Sequence, residues 1–368
     1  MPEAASVNPL ENVNFIRPIK LWLNGRKLDR LIGEELDKRF VTRDSSQTNG
    51  KANGHANGDA KPTLKASRNR SVVTLALDTY EKEFQNPSMA KKSSNSKVMD
   101  PTFRATAIDQ IKTFIFAGHD TTSSTIAYAF YFLHTHPNAH ARLCAELDAV
   151  LGPSATSAAT LKASPHLINA LPYTTAVFKE TLRIFPPAST LRAAPANSPL
   201  TFTDPQTGTK YPLAGCEIWP ASHAIHRNEK YFPRPLDFIP ERFMPPTSPE
   251  FAEFLASLPP DSPNNPPAVH KDSWRPFEKG PRNCIGQELA VLETKVILAL
   301  TVREFDFQCR YPQVEIDGKM NDGSDGGVRV ESVHEKTPRW MVEGHRCVQV
   351  LKGSAKPAEG MPGIVLLR

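Results

Sequence analysis

The stretch KTFIFAGHDTTSSTIAYAFYFL, residues 112–133, constrains this chain more than any other. It sits in one long helical pattern from Phe103 to His134. Apolar residues fall on nearly every side of it, which predicts a buried central helix. Its middle, AGHDTTSST, breaks that rule. Gly, Asp, Ser and Thr are poor helix formers, and the polar side chains compete for backbone hydrogen bonds. A break of this kind marks a candidate functional site. Gly118 removes bulk, so another group can approach the helix. Asp120 and Thr121 place an acid and a hydroxyl beside that gap, a route for protons. The alternative is that one helix ends here and Asp120 caps the next.

Around this helix the pattern predicts a mainly α chain with small β-sheets. In residues 19–40 the positions Leu28, Leu31, Ile32, Leu36 and Phe40 recur at helical spacing, with charges on the other face. That helix serves core packing or, less simply, a membrane surface. Residues 44–71 are rich in Asn, Gly, Ser and Lys and bury too little apolar surface to order themselves, which predicts a flexible loop. A short apolar helix (72–84) and a polar stretch around KKSSNSK follow. Further helices are expected at 137–151, 170–185 and about 286–303, with strands and turns over 190–235. Residues 244–270, dense in proline, read as an irregular excursion. The tail from Phe305, with RCVQVLKG, alternates as hairpin strands do.

Composition excludes several classes. The chain has 368 residues, 39% hydrophobic and 23% charged, and 34 prolines. That suits a soluble body with a sizeable core and long irregular connections. A net charge of +5 without a basic stripe interleaved with aromatics argues against nucleic acid. Five cysteines without a CxxC pair argue against a zinc ribbon or a disulfide framework. No apolar run approaches the ~20 residues that span a bilayer. The N-terminus lacks the basic-then-apolar order of a signal peptide, so Asn69-Arg70-Ser71 reads as a chance glycosylation match.

Three further stretches carry chemistry. In FKETLRIFPP, Glu180 and Arg183 stand three apart on one helix face. They form either an exposed pair of little energetic weight or a buried pair that needs further donors. In FIPERFM, Arg242 is positioned to supply such donors. In FEKGPRNCIG, Gly280 and Pro281 force a turn, Arg282 is a cation suited to a carboxylate, and Cys284 precedes Gly286 and a helix. A thiol there is either a small buried hydrophobe or a thiolate favoured by the helix N-terminus.

Together these stretches resemble the cytochrome P-450 family of heme-thiolate monooxygenases. Phe277, Gly280, Arg282, Cys284 and Gly286 match its F-x-x-G-x-R-x-C-x-G heme loop. Ala117, Gly118, Asp120, Thr121 and Thr122 match its oxygen-activating helix, Glu180 and Arg183 its E-x-x-R helix, and Pro240 to Phe243 its P-E-R-F segment. The order is the family's, from about residue 100 onward. HDTTSST and the long polar loop resemble fungal secondary-metabolism members.

The resemblance implies a cytochrome P-450 fold, incomplete at its N-terminus. Residues 1–43 would be partial distal helices, 44–71 a loop, and 72–368 the heme-binding core. It implies heme b with Cys284 as the iron ligand and Phe277 and Gly286 close by. Arg282 and Arg192 would hold propionates. Asp120 and Thr121 would deliver protons. Glu180, Arg183 and Arg242 would form an ionic lock, and Ala188 to Leu191 with the helix near Phe116 would line the substrate pocket. The implied activity inserts one oxygen atom from O2 into a small apolar organic substrate, with electrons from an NADPH-dependent reductase. Full-length relatives are expected at the cytoplasmic face of the endoplasmic reticulum, held by an N-terminal anchor that is missing here. Two alternatives stay open: a heme-thiolate isomerase or dehydratase, and a shortened remnant that holds heme poorly.

Overall fold

The computed structural model describes residues 16–51 (side chains from 19 to 42), 73–74, 76–79, 99–260, 272–310, 314–316, 319–321, 349–352, 354–357 and 360–368. Two compact units divide the chain, one up to Ala117 and one from Gly118.

In the first unit, helix α1 spans Ile16–Lys51. Its backbone stays helical past residue 44, so the expected loop begins later than its composition suggested. Once a helix is nucleated, each added residue costs little. The remainder of that loop and the KKSSNSK stretch lie outside the described residues; of the expected 72–84 helix, residues 73–74 and 76–79 are described and are helical. Ile32 and Leu36 of α1 pack into a small cluster with Leu77, Met99, Ala107, Ile108 and Ile111, and Phe40 packs against it. Leu28 and Leu31 are exposed, so the buried stripe is narrower than the heptad pattern implied. Two ion pairs flank the cluster: Arg104 on Asp37 at 2.8 Å and Lys112 on Asp29 at 2.7 Å.

Helix α2, Pro101–Thr135, is unbroken. The Asp100 carboxylate accepts from the Phe103 N–H at 2.9 Å and caps it. Asp120 is therefore mid-helix, and the alternative of a cap at Asp120 falls. The expectation of a wholly buried helix is corrected in part. Phe114, Ile115 and Phe116 are exposed, whereas Tyr128, Ala129 and Phe132 are fully buried. Apolar character on every side makes burial favourable but does not supply the surface that covers it.

In the second unit, α3 (Pro137–Leu151), α4 (Ser154–Ala163), α5 (Pro172–Ile184) and α8 (Gln287–Thr301) pack with the buried half of α2. Two short helices lie between, α6 (Ser222–His226) and α7 (Pro249–Ala256). The latter corrects the reading of 244–270 as wholly irregular. The Ser248 side chain caps α7, and the proline after it sits at the first helical position, where no N–H is needed. The core centres on Phe132, which stacks on Phe238 (4.3 Å, 6° between planes) and on Phe185 (5.5 Å). Burying a side chain of this size is worth about 2–3 kcal/mol.

The strands form antiparallel pairs: β1 (Arg192–Ala193) with β4 (Glu217–Ile218), β2 (Thr201–Thr203) with β3 (Lys210–Pro212), and β6 (Val314–Ile316) with β7 (Lys319–Asn321). β8 (Gln349–Lys352) pairs with β9 (Ser354–Pro357). β5 (Phe305–Cys309) pairs with β10 (Gly363–Leu367), Val365 facing Phe307. The architecture is mainly helical with small two-stranded sheets.

Candidate functional site

The site is built outward from α5. Glu180 and Arg183 are completely buried, and Arg242 nearly so. Arg183 grips Glu180 with both prongs, Nε to Oε2 at 2.7 Å and Nη2 to Oε1 at 2.8 Å. Arg242 Nε donates to Glu180 Oε1 at 3.1 Å, and the Ile239 N–H to the same oxygen at 2.8 Å. Further bonds run to backbone carbonyls: Arg183 to His226, Pro235 and Asp237, which uses all five of its protons, and Arg242 to Pro233 and Arg234. The desolvation of three charges is offset by these added acceptors. Burial alone would push the Glu180 carboxyl up. The two guanidiniums and the Ile239 N–H outweigh it and hold the group below the usual range. Glu180, Arg183 and Arg242 form one buried ion-pair network, so the surface-pair alternative falls.

Two residues that sequence reasoning missed tie this lock to the cysteine loop. His226 is fully buried. Its Nε2 accepts from the Arg275 N–H at 2.9 Å, so Nδ1 carries the proton and donates to the Arg183 carbonyl at 3.0 Å. Burial, reinforced by Arg183, pushes its pKa down to about 3, so the ring is neutral. Trp274 donates its indole N–H to the Lys179 carbonyl at 3.0 Å. Phe277 lies between Trp274 (5.9 Å) and Phe178 (6.2 Å). The sequence offered little signal for either residue: ASHAIHRN carries two histidines with no spacing to distinguish them, and Trp274 borders a proline-rich run.

From Phe277 the chain turns tightly. Gly280 has φ 80°, the left-handed region that favours glycine. Glu278 adopts φ 60° at its own cost, and its carboxylate accepts from the Thr190 N–H at 3.2 Å. The Cys284 N–H returns to the Phe277 carbonyl at 2.9 Å and closes the loop. Gly286 is the N-cap of α8, and a Cβ there would meet the Cys284 sulfur at 3.8 Å. Cys284 itself is exposed, so the buried-hydrophobe alternative falls. Arg282 is exposed and makes no ion pair with the described residues. Arg192, on β1, donates to the Leu191 carbonyl at 3.1 Å and, among the described residues, to no other group. Ala188 to Leu191 are exposed, as is Phe116.

On α2, a Cβ at Gly118 would meet open space, so the helix is approachable there. Asp120 turns to the β8–β9 hairpin rather than to the loop. Lys356 Nζ pairs with its Oδ1, and Ser354 Oγ donates to its Oδ2 at 2.7 Å. Partial burial pushes that carboxyl up, but these two partners together hold it below its usual value. Thr121 is half-buried beside it.

The donor set decides which cofactor suits the site. One exposed thiol, with no group of three or more metal-binding side chains among the described residues, does not suit zinc. It suits a single axial ligand to a metal whose other donors come from a macrocycle. Ile285, Leu289 and Leu292 add exposed apolar surface next to the thiol. Arg192 and Arg282 add exposed cations. The residues fit heme.

Residues 58–327 match the Cytochrome P450 family. The chain is 33% identical over 356 residues to Cytochrome P450 monooxygenase polC of Polytolypa hystricis, covering 96% of the chain and 53% of that protein. It is 37% identical over 296 residues to Cytochrome P450 monooxygenase acrF of Aspergillus aculeatus, covering 80% of the chain and 55% of that protein. It is 35% identical over 217 residues to Cytochrome P450 4A14 of Rattus norvegicus, covering 59% of the chain and 36% of that protein. The chain spans about half the length of the two fungal relatives. With a buried Glu–Arg–Arg lock behind a loop that presents one thiol, this chain belongs to the cytochrome P450 family.

Proposed function

We propose that this chain carries the heme-thiolate half of a fungal secondary-metabolism monooxygenase. The reaction inserts one oxygen atom from O2 into an apolar organic substrate, with electrons from an NADPH-dependent reductase. The observation that carries this reading is the continuous path from the buried Glu180–Arg183–Arg242 network, through His226 and Trp274, to the loop that exposes Cys284.

Heme b, when bound, supplies the oxygen-activating iron, and a thiolate ligand favours O–O cleavage. The chain's own residues do the rest. Cys284 offers its sulfur from a loop that cannot shift without breaking the Phe277 and His226 contacts. Phe277, held between Trp274 and Phe178, would pack beside the heme near the thiolate. Arg282 and Arg192 offer guanidinium groups to the two propionates. Asp120 and Thr121 hold a carboxylate and a hydroxyl beside the gap at Gly118, where a proton can be passed. Ala188 and Leu191 offer exposed apolar side chains to a substrate. An acid–hydroxyl pair at that gap supports oxygen activation over isomerisation or dehydration, because reductive cleavage of O2 consumes protons.

Among the described residues no helix is long and apolar enough to cross a membrane. Attachment of the whole protein to the endoplasmic reticulum belongs to the same proposal.

A second reading also has an observation behind it. Ile285 is 88% exposed and Leu289 55%, so the surface next to the thiol is little covered. That favours weak heme retention by this polypeptide alone. A carbon monoxide difference spectrum of the reduced chain separates the two. A Soret band in the thiolate-ligated position, absent in Cys284→Ser, supports the first reading. No heme uptake at all supports the second.

A further inference from the structure

The β8–β9 hairpin does more than end the chain's core. Its second strand meets the middle of α2 at three consecutive residues. Ser354 Oγ donates to Asp120 Oδ2 at 2.7 Å, the Ala355 carbonyl accepts from Ser124 Oγ at 2.8 Å, and Lys356 Nζ pairs with Asp120 Oδ1. On its other side the hairpin holds the segment after α5. The Ala355 N–H donates to the Pro187 carbonyl at 2.7 Å, and Gln349 Nε2 reaches the Pro186 carbonyl at 3.5 Å. Alternation along a strand puts Ser354 and Lys356 on one face, and that face lies on Asp120. Neither residue belongs to the motifs that carry the family resemblance.

We propose that Lys356, seated by Ser354, is a positioning residue for Asp120: it clamps the carboxylate against the hairpin, and opening of this ion pair gates proton delivery. The inference rests on the assignment of Asp120 to proton delivery. The geometry suits a gate rather than a permanent lock. The Lys356 side chain is 37% exposed and that of Asp120 14%, so water competes for the ammonium while the carboxylate stays sheltered. The Ser124 and Pro187 contacts hold the hairpin in place while the pair opens. Among the described residues the groups that face the carboxylate are Lys356 and Ser354, both from β9. Among the described residues no second cation pairs with it. Released, the carboxylate takes a proton from solvent and gives it to the Thr121 hydroxyl, which passes its own proton on. The carboxylate is regenerated and no other reagent is consumed.

The test needs no turnover at its first step. The full chain is labelled with 13C in the aspartate carboxyls, and the Asp120 signal is assigned by its loss in Asp120→Asn. The expected result is a titration midpoint that rises in Lys356→Gln and returns in Lys356→Arg. Raising salt should also move the midpoint up in the parent chain but leave Lys356→Gln unmoved, which checks the contact without a substitution. A midpoint indifferent to both changes overturns the proposal whatever the chain does with heme. In the heme-loaded protein with its reductase, Lys356→Gln should change peroxide released per NADPH and its pH profile, with Lys356→Arg restoring both. Unchanged profiles with a shifted midpoint overturn the gate. If Asp120→Asn also leaves coupling unchanged, it is the proton-delivery assignment that fails.

Discussion

The Arg275 N–H donates to His226 Nε2 at 2.9 Å, and this bond joins the cysteine loop to the ionic lock. Because the opposite ring nitrogen serves the Arg183 carbonyl at 3.0 Å, the imidazole is a two-ended strut that works only when neutral.

Acid should therefore loosen the loop. The folded pKa of His226 is pushed down to about 3, below the ordinary histidine value. The unfolded chain then binds the extra proton first. The stabilising contribution is complete above about pH 6.5 and is lost as pH falls toward 3, at roughly 1.4 kcal/mol per pH unit at most. Denaturant midpoints across that range should fall with acidity. His226→Gln should flatten the slope, and an unchanged slope would remove His226 as its cause.

Glu180→Gln should be among the most damaging single changes in the chain. It leaves Arg183 and Arg242 buried without their counter-charge, a loss on the order of 3–5 kcal/mol. Equilibrium unfolding should show it directly. A loss under about 1 kcal/mol would mean that the backbone carbonyls around the guanidiniums suffice without the carboxylate.

Gly280→Ala isolates backbone strain from crowding. A Cβ at this position meets nothing within 4 Å, yet φ is 80°. The expected cost is about 1–2 kcal/mol from the left-handed conformation alone. It should appear as a lower unfolding midpoint together with faster heme loss, since the strain sits in the loop that carries Cys284. Unaltered heme loss would show that the loop's shape does not depend on this turn.

Thr121→Ala should leave heme uptake intact while diverting reducing equivalents to peroxide. The side chain is half-buried beside Asp120, and removing its hydroxyl breaks the proposed relay without opening a core cavity. Coupling of NADPH use to product is the measurement. Coupling equal to that of the parent would take Thr121 out of the mechanism.

The apolar side chains Ile285, just before α8, and Leu289 and Leu292, in its first turns, are exposed. Patches of this kind drive association. Light scattering should show concentration-dependent self-association of the chain, reduced in Leu289→Glu/Leu292→Glu. A monomer at all concentrations would contradict this.

Motif residues were legible because chemistry fixes their types locally. Cys284 needs Gly280 for the turn and Gly286 at the helix cap, and all three lie within seven residues. Glu180 and Arg183 are one helical turn apart, so their contact follows from spacing alone. Helices α3, α5 and α8 were likewise readable from apolar periodicity. Burial was not, since it depends on what covers a surface: Phe114 to Phe116 carry the same apolar character as Tyr128 and Phe132, yet only the latter pair is enclosed.

The sequence by itself determined the helical class, the thiol loop, the acid–hydroxyl pair and two members of the lock. Only the tertiary structure decided that Arg242 completes the lock, that His226 and Trp274 carry it to the cysteine, and that Asp120 answers to Lys356. Those partners come from elements far apart along the chain. A hydrogen bond or ion pair between distant segments leaves no spacing in a single sequence. It exists only once packing brings donor and acceptor within about 3 Å.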